Sequence, residues 1–486
     1  MPISPKLGPE AAAANLAEIA PPYSAQEAMV EANRCLFCFD APCIQACPTG
    51  IDIPTFIKKI ANGNLTGSAR AILGANVLGA SCARVCPTEV LCEGACVMLD
   101  RDGDPVKIGR LQRYATDHVL HHKIPVLKPA ARKSGKRVAI IGGGPAGLGC
   151  AAELAQLGHQ AVVFEKRPQA GGLNTYGIAY YKMKPEVSLA EVEMIRNLGV
   201  EFRYGLEVGK NFNATELEKD FDAVFVGIGL GGGTRLDIPG EELPEVLEAL
   251  DFIAQIHTQP LHMVPVGRRV LVIGGGNTAI DAATQAKRLG AEKVVMIYRR
   301  GQAEMSAYEF EQELARTDGV EFLLQAAPLE IQKDGAGHVA GLKLIRTSIV
   351  NGKLQNVPGT EFIEPCDMII KAIGEQKQVA ALKKLFPELA LDSRGVVFRH
   401  TDTGETNLPK VFSGGDCANG GREVVNAVAE GKKAARGIHA FLTGHAVAGL
   451  VQPSRYGVKG VPTGSGFDRP IRVPELEKSI KASAKI

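Results

Sequence analysis

Lys136-Arg-Val-Ala-Ile-Ile-Gly-Gly-Gly-Pro-Ala-Gly147 is the stretch on which the fold turns. Val138 to Ile141 read as a buried strand, three glycines turn the chain, and a helix follows. The construction returns 132 residues later as Arg268-Arg-Val-Leu-Val-Ile-Gly-Gly-Gly-Asn-Thr-Ala279. Helices are predicted over 145–157 and 277–289, each followed by a second apolar strand, Ala161–Phe164 and Lys293–Tyr298. Two βαβ units at this spacing predict an α/β chain with two nucleotide-binding folds, not a solenoid.

In the first turn, Gly142, Gly144 and Gly147 have the G-x-G-x-x-G spacing, and Glu165 ends the next strand. The first two glycines let backbone approach a pyrophosphate at a helix N-terminus. The third lets helix and strand pack closely, and the acid can accept from ribose hydroxyls. Ala170-Gly-Gly-Leu173 follows the acidic strand end, where a second close approach to a cofactor is needed. Gly415-Asp416 precedes a helix, so that the carboxylate can hold a ribityl or phosphate oxygen. Together these favour FAD in the first fold, with a helix N-cap as the alternative role for Asp416. The second turn, Gly274 to Ala279, lacks the third glycine, and its second strand ends in Arg299-Arg300. Guanidinium groups there suit a 2′-phosphate and favour NADP(H) over NAD(H), against the alternative of two solvated arginines.

Eleven cysteines are present, eight of them between Cys35 and Cys96. Their order is Cys35-x2-Cys38-x4-Cys43-x3-Cys47-Pro48, then Cys82-x3-Cys86-Pro87-x5-Cys92-x3-Cys96. The first run has a ferredoxin-like layout, in which the cysteine before proline ligates a different cluster from its neighbours. Soft thiolates converging from tight turns suit iron–sulfur clusters. Zinc is the alternative, but its sites favour paired C-x2–4-C knuckles, often with histidine. The histidines His118, His121 and His122 read as a solvated helix end.

The remaining features narrow the class. The 486 residues suggest about three domains. The net charge of +2 leaves no basic field for nucleic acid. With 45% hydrophobic residues and a mean hydropathy of +0.02, no segment approaches the ~18 apolar residues of a membrane span. The N-terminus lacks a signal-peptide layout, which predicts a cytoplasmic protein. A disulfide reductase of the thioredoxin-reductase kind would need C-x-x-C in the second fold, where residues 238–371 contain only Cys366. The predicted organisation is a helical iron–sulfur domain over 1–130 and a flavin domain over 131–237 and 372–446. A nucleotide domain over 238–371 interrupts the flavin domain, and a tail covers 447–486.

Arg34-Cys-Leu-Phe-Cys-Phe-Asp-Ala-Pro-Cys43, Leu78-Gly-Ala-Ser-Cys-Ala-Arg-Val-Cys-Pro87 and Ile108-Gly-Arg-Leu-Gln112 carry a family resemblance over about residues 24–445. The chain resembles the NAD(P)H-oxidising, FAD-containing subunit of bacterial dihydropyrimidine dehydrogenase (the PreT type). It is similar also to the N-terminal half of the eukaryotic enzyme and, more distantly, to the glutamate synthase small subunit. The resemblance implies two 4Fe–4S clusters, one on Cys35, Cys38, Cys43 and Cys96, the other on Cys47, Cys86, Cys92 and the side-chain oxygen of Gln112. Cys82 is then a spare thiol, although counting alone would use all eight cysteines. Glutamate synthase relatives typically carry an acid where Gln112 stands.

At FAD the resemblance places Val85, Gly142, Gly143, Gly144, Pro145, Ala146, Glu165, Gly172, Leu173, Lys182, Gly415 and Asp416. At the nicotinamide nucleotide it places Gly275, Gly276, Asn277, Thr278, Arg299, Arg300, Ala372, Ile373 and Gly374. Ser306 stands where the eukaryotic enzyme has a further phosphate-binding arginine, and Lys182 where it has an arginine. Pyrimidine reduction in this family takes place on an FMN-bearing barrel. The 36 residues after Leu450 are too few for a barrel of ~250. The expected partner is therefore an FMN- and iron–sulfur-containing subunit (the PreA type), joined in a heterotetramer. A glutamine-hydrolysing FMN protein is the rival partner.

Overall fold

The computed structural model describes residues 7–212 and 215–447, so the tail from Val451 to Ile486 lies outside the described residues. The described chain packs as two units. One holds 20–174, 186–229 and 378–447, and the other holds 7–19, 175–185 and 230–377.

In the larger unit, five strands form a parallel sheet in the order Val411–Ser413, Ala223–Val226, Arg137–Ile141, Gln160–Glu165, Glu201–Tyr204. The central strands are nearly continuous Val, Ile, Ala and Phe because both sheet faces are covered. From the strand at 137–141 the chain adds 160–165 and 201–204 on one side, then crosses to place 223–226 on the other. That reversal opens a crevice beyond the carboxyl ends of the strands, and the 142–144 turn lies there. Gly142 has φ +102°, and a Cβ on it would stand 2.4 Å from the Gly227 carbonyl oxygen.

Helix Pro145–Gln156 follows the turn and crosses helix Val424–Thr443 backbone to backbone. Glycines at the crossing permit this. A Cβ on Gly431 would lie 2.0 Å from the Ala146 carbonyl oxygen, and one on Gly149 would lie 2.9 Å from that of Val428.

The cysteine-bearing segment is helical, with seven helices from Ala25–Ala32 to Ile108–His121. Ser24 and Glu27 form a reciprocal capping box at the first, and Asp52 and Asn64 cap helices Ile53–Ala61 and Leu65–Ala75. The segment has its own apolar core around Phe56, Ile57, Ile60, Ile72 and Leu111. It is nevertheless continuous with the flavin-type fold, since Val77 and Leu78 are buried in the same core as Val138, Ile140 and Phe225.

The smaller unit has a second parallel sheet, ordered Val246–Glu248, Met368–Lys371, Arg269–Ile273, Lys293–Tyr298, Glu321–Leu324. Between its last two strands in sequence the chain inserts an antiparallel sheet made by Ala326–Lys333, Val339–Val350, Lys353–Asn356 and Phe362–Pro365. Its tightest hairpin turns at Asn351-Gly352, both with positive φ, as a two-residue turn of matching twist requires. Two segments remote in sequence complete this unit. Leu16, after helix Pro9–Asn15, and Tyr181, within 175–185, are fully buried in its core.

Replacing Gly431 by Val should separate the crossing helices and cost about 3 kcal/mol. The thermal midpoint of Gly431→Val is expected to fall, with loss of bound flavin during purification.

Candidate functional site

The first glycine turn is held by its own surroundings. The Gly143 amide donates to the Glu165 carboxylate (2.8 Å), the Arg167 amide donates to the other oxygen (2.8 Å), and the Gly171 amide donates to the Gly143 carbonyl (2.7 Å). A Cβ on Gly172 would lie 2.8 Å from Gly144 Cα, and one on Gly415 would lie 2.7 Å from Ala146 Cβ. Gly142 to Ala146, Glu165, Gly172 and Gly415 therefore converge at the N-terminus of helix Pro145–Gln156. They form a cradle that side chains would fill, which suits a dinucleotide pyrophosphate.

The other expected flavin residues are more varied in position. Leu173 opens a short helix, Leu173–Tyr176, and Val85 ends helix Gly79–Val85. Asp416 begins helix Asp416–Asn419 with Gly415 as its N-cap, and its carboxylate accepts from the Arg422 amide (3.2 Å). Lys182 stands in the smaller unit, where its ammonium is held by Asp281 and Glu311 (2.7 Å each). Its charge is thus paired within the smaller unit.

In the second fold the Ala307 amide donates to the Gly275 carbonyl (3.1 Å), and the Tyr308 amide donates to the Asn277 side chain (3.0 Å). Gly276 leaves room beside Ser306 Oγ, Gly275 lies against the Tyr298 ring, and Gly274 lies against the Ala372 carbonyl. Thr278 sits in the first turn of helix Asn277–Arg288, and Gly374 accepts from the Thr234 amide (2.9 Å). Ile373 packs against the apolar core between the second parallel sheet and its antiparallel insert. Arg299 and Arg300 follow strand Lys293–Tyr298. Thr347 Oγ1 and the Gln325 amide fix their backbone carbonyls, and among the described residues neither guanidinium has an ion-pair partner.

All eleven cysteines are free thiols. Cys35, Cys38, Cys43 and Cys96 line one cavity, whose other walls are apolar side chains including Ile53, Ile57, Met98 and Ile108. Cys47, Cys86 and Cys92 form a second group. Buried thiols crowded together resist ionisation. Burial pushes Cys35 up to about 11 and Cys43 well above the ordinary thiol range. Adjacent Cys82, followed by burial, does the same to Cys86. Such groups become stable thiolates when a metal centre supplies positive charge, so the donor chemistry fits iron–sulfur clusters.

Among the described residues no three His, Cys, Asp or Glu side chains converge on a point that would hold a single metal ion. Gln112 is buried on helix Ile108–His121 and donates its amide nitrogen to the Gly79 carbonyl (2.7 Å), which leaves its oxygen as the available donor atom. Cys82, which the resemblance sets aside, is buried beside Cys86, one helical turn away. The three histidines end helix Ile108–His121 or follow it, and His121 and His122 are exposed.

Two buried charges that sequence patterns did not single out tie the thiol-bearing helices to the flavin-type fold. Glu191 accepts from the Ala80 amide (2.7 Å), the Ser81 amide (3.1 Å) and the Ser81 hydroxyl, at the start of helix Gly79–Val85. Lys432, on helix Val424–Thr443, donates to the Gly74 (3.2 Å) and Ala75 (2.5 Å) carbonyls. Neither has a sequence signature, because an isolated Glu or Lys on a helix reads as solvated.

Two parallel dinucleotide folds, with buried thiols packed into the unit of the first, define a pyridine-nucleotide flavoprotein oxidoreductase with an iron–sulfur domain. Residues 12–124 match the family described as dihydropyrimidine dehydrogenase domain II, 4Fe–4S cluster. Residues 136–431 match pyridine nucleotide-disulphide oxidoreductase. The chain is 36% identical to the glutamate synthase (NADPH) small chain of Escherichia coli K12, over 87% of this chain and 93% of that protein. It is 35% identical to the NAD-dependent dihydropyrimidine dehydrogenase subunit PreT of the same strain, over 88% and 98%. The fold is also that of Mycobacterium tuberculosis FprA, solved in complex with NADPH (TM-score 0.53, 21% identity, 64% of this chain and 85% of that one). The chain belongs to the pyridine nucleotide-disulphide oxidoreductase family, in the branch that includes glutamate synthase small chains and PreT subunits. No helix among the described residues is long and apolar enough to cross a membrane.

Burial pushes the Glu191 carboxyl up to about 7. The folded state therefore holds a proton that the unfolded chain releases near 4.5, so this group's contribution to stability is greatest at acidic pH and declines as pH rises between those values. Relative to Glu191→Gln, the wild-type chain should lose on the order of 3 kcal/mol between pH 5 and pH 8. Paired denaturation curves across that range would check it.

Proposed function

We propose that this chain is an electron-input subunit. It oxidises NAD(P)H at the second fold, holds FAD at the first, and passes electrons through two 4Fe–4S clusters to an FMN-containing partner that reduces uracil and thymine to their 5,6-dihydro forms. The flavin supplies the conversion of a hydride's electron pair into single electrons, which clusters then carry.

The observation that carries this reading is the continuous core joining the thiol-bearing helices to the first dinucleotide fold. A protein that must deliver electrons one at a time has to hold its one-electron carriers rigidly beside the flavin. Within that core, Gly142 to Ala146, Glu165, Gly172, Leu173, Gly415 and Asp416 hold the flavin, with Val85 reaching it from the helix that bears Cys86. Cys35, Cys38, Cys43 and Cys96 hold one cluster. Cys47, Cys86, Cys92 and the Gln112 oxygen hold the other. Gly275 to Thr278, Ala372 to Gly374, Arg299 and Arg300 hold the nucleotide, and the two free guanidinium groups favour NADPH.

Gln112 inclines the partner toward the pyrimidine enzyme. The glutamate synthase reading is retained because that small chain matches as completely. The partner decides between them. The anaerobically purified chain alone should reduce ferricyanide with NADPH but turn over neither uracil nor 2-oxoglutarate with glutamine. Adding a PreA-type FMN subunit should restore uracil reduction. Restoration of glutamate synthesis by a glutamate synthase large chain would establish the rival. Uracil reduction by this chain alone would reject both.

Removing the arginines tests the nucleotide assignment. Arg299→Ala with Arg300→Ala should raise the KM for NADPH about 10- to 100-fold, as expected for loss of charge-assisted hydrogen bonds, and leave that for NADH nearly unchanged. Steady-state kinetics with ferricyanide measures both.

A further inference from the structure

Cys47-Pro-Thr-Gly50 is a tight turn. The Gly50 amide donates to the Cys47 carbonyl (2.9 Å), Pro48 occupies the second position, and Gly50 has φ +64°. The turn folds Thr49 back over the cysteine that precedes it, and Thr49 Oγ1 lies 3.3 Å from Cys47 Sγ. Thr49 is only 4% exposed, and among the described residues its hydroxyl has no other hydrogen-bond partner.

We propose that Thr49 is a positioning residue for the cluster held by Cys47, Cys86, Cys92 and Gln112, and that its hydroxyl raises that cluster's reduction potential. The inference rests on the cluster assignment made under Proposed function. A thiolate bound to iron carries no proton, so in the 3.3 Å contact the hydroxyl is the donor. A hydrogen bond to an anionic acceptor strengthens as negative charge on the acceptor grows. It therefore favours the cluster after it has gained an electron.

The buried Lys432 ammonium is anchored on the Gly74 and Ala75 carbonyls with the Glu153 carboxylate 3.8 Å away, so the donor in direct contact with Cys47 is the Thr49 hydroxyl. The cavity of Cys35, Cys38, Cys43 and Cys96 differs, because every other residue lining it is apolar. The two clusters are thereby made unequal. The one whose ligand Cys86 adjoins Val85 becomes the readier acceptor for an electron leaving the flavin.

The test is an EPR-monitored redox titration of the full chain, prepared anaerobically, as wild type, Thr49→Val and Thr49→Ser. Valine keeps the shape and removes the donor, whereas serine keeps the donor. Thr49→Val should weaken the electron affinity of one cluster about tenfold, a shift of ~59 mV to more negative potential. The other cluster should be unmoved, and Thr49→Ser should titrate as wild type. Fully loaded Thr49→Val with both potentials unchanged would overturn the inference and leave the cluster assignment standing. So would Thr49→Ser shifting as far as Thr49→Val, since the effect would then be steric. A wild-type chain devoid of acid-labile sulfide would overturn the cluster assignment and the inference together.

Discussion

The apolar core that Val77 and Leu78 share with the first dinucleotide fold is the joint on which the rest depends. These residues precede helix Gly79–Val85 and are at most 4% exposed, packed with Val138, Ile140 and Phe225. Fully burying side chains of this size stabilises by about 1.5–3 kcal/mol each. Thiol groups on a loosely tethered domain would vary in distance from the first dinucleotide fold. Thiol groups sharing its core cannot drift without opening that core.

Apolar packing alone does not specify orientation, and the buried charges at the same junction do. Glu191 receives three hydrogen bonds at the start of helix Gly79–Val85, and Lys432 gives two to the carbonyls just before it in sequence. Each costs desolvation, as the raised carboxyl of Glu191 and the lowered ammonium of Lys432 both show. A hydrophobic pair could give equal or greater stability, but it would tolerate rotation of the helix that carries Cys82, Val85 and Cys86. An acceptor aimed at two successive amides tolerates none.

What the sequence made legible follows from which interactions are local. The strand Lys293–Tyr298 appears with the bounds expected, because a buried β-branched run ends abruptly at two arginines. The helix expected over 145–157 ends at Gln156, since Leu157 is its C-cap and Gly158 turns left-handed with φ +91°. The antiparallel insert within 326–365 carries a local signal, Asn351-Gly352 directly after Ile349-Val350, that lies outside the glycine-turn repeat and the cysteine pattern. Glu191, Lys432 and the Thr49 hydroxyl were out of reach, because each acquires its meaning from a distant helix or a folded turn. The family pattern names Lys182 for the flavin, and its pairing with Asp281 and Glu311 on two other helices has no signal in the sequence.

Several cations of the nucleotide unit are clasped by carboxylates, and others are not. Lys182 is clasped by Asp281 and Glu311, and Lys371 by Glu241 and Glu248. Arg288 is paired with Asp318, and Lys293 with Glu321 and Glu364. Arg299 and Arg300, adjacent in sequence, stand without an ion-pair carboxylate among the described residues, as do Arg269 and Arg346. Arg299 and Arg300 follow the carboxyl end of a central strand, the end at which parallel sheets bind their ligands. Under the NADPH reading proposed above, a dianionic 2′-phosphate would give both guanidinium groups a charge-assisted partner, which a ribose hydroxyl would not.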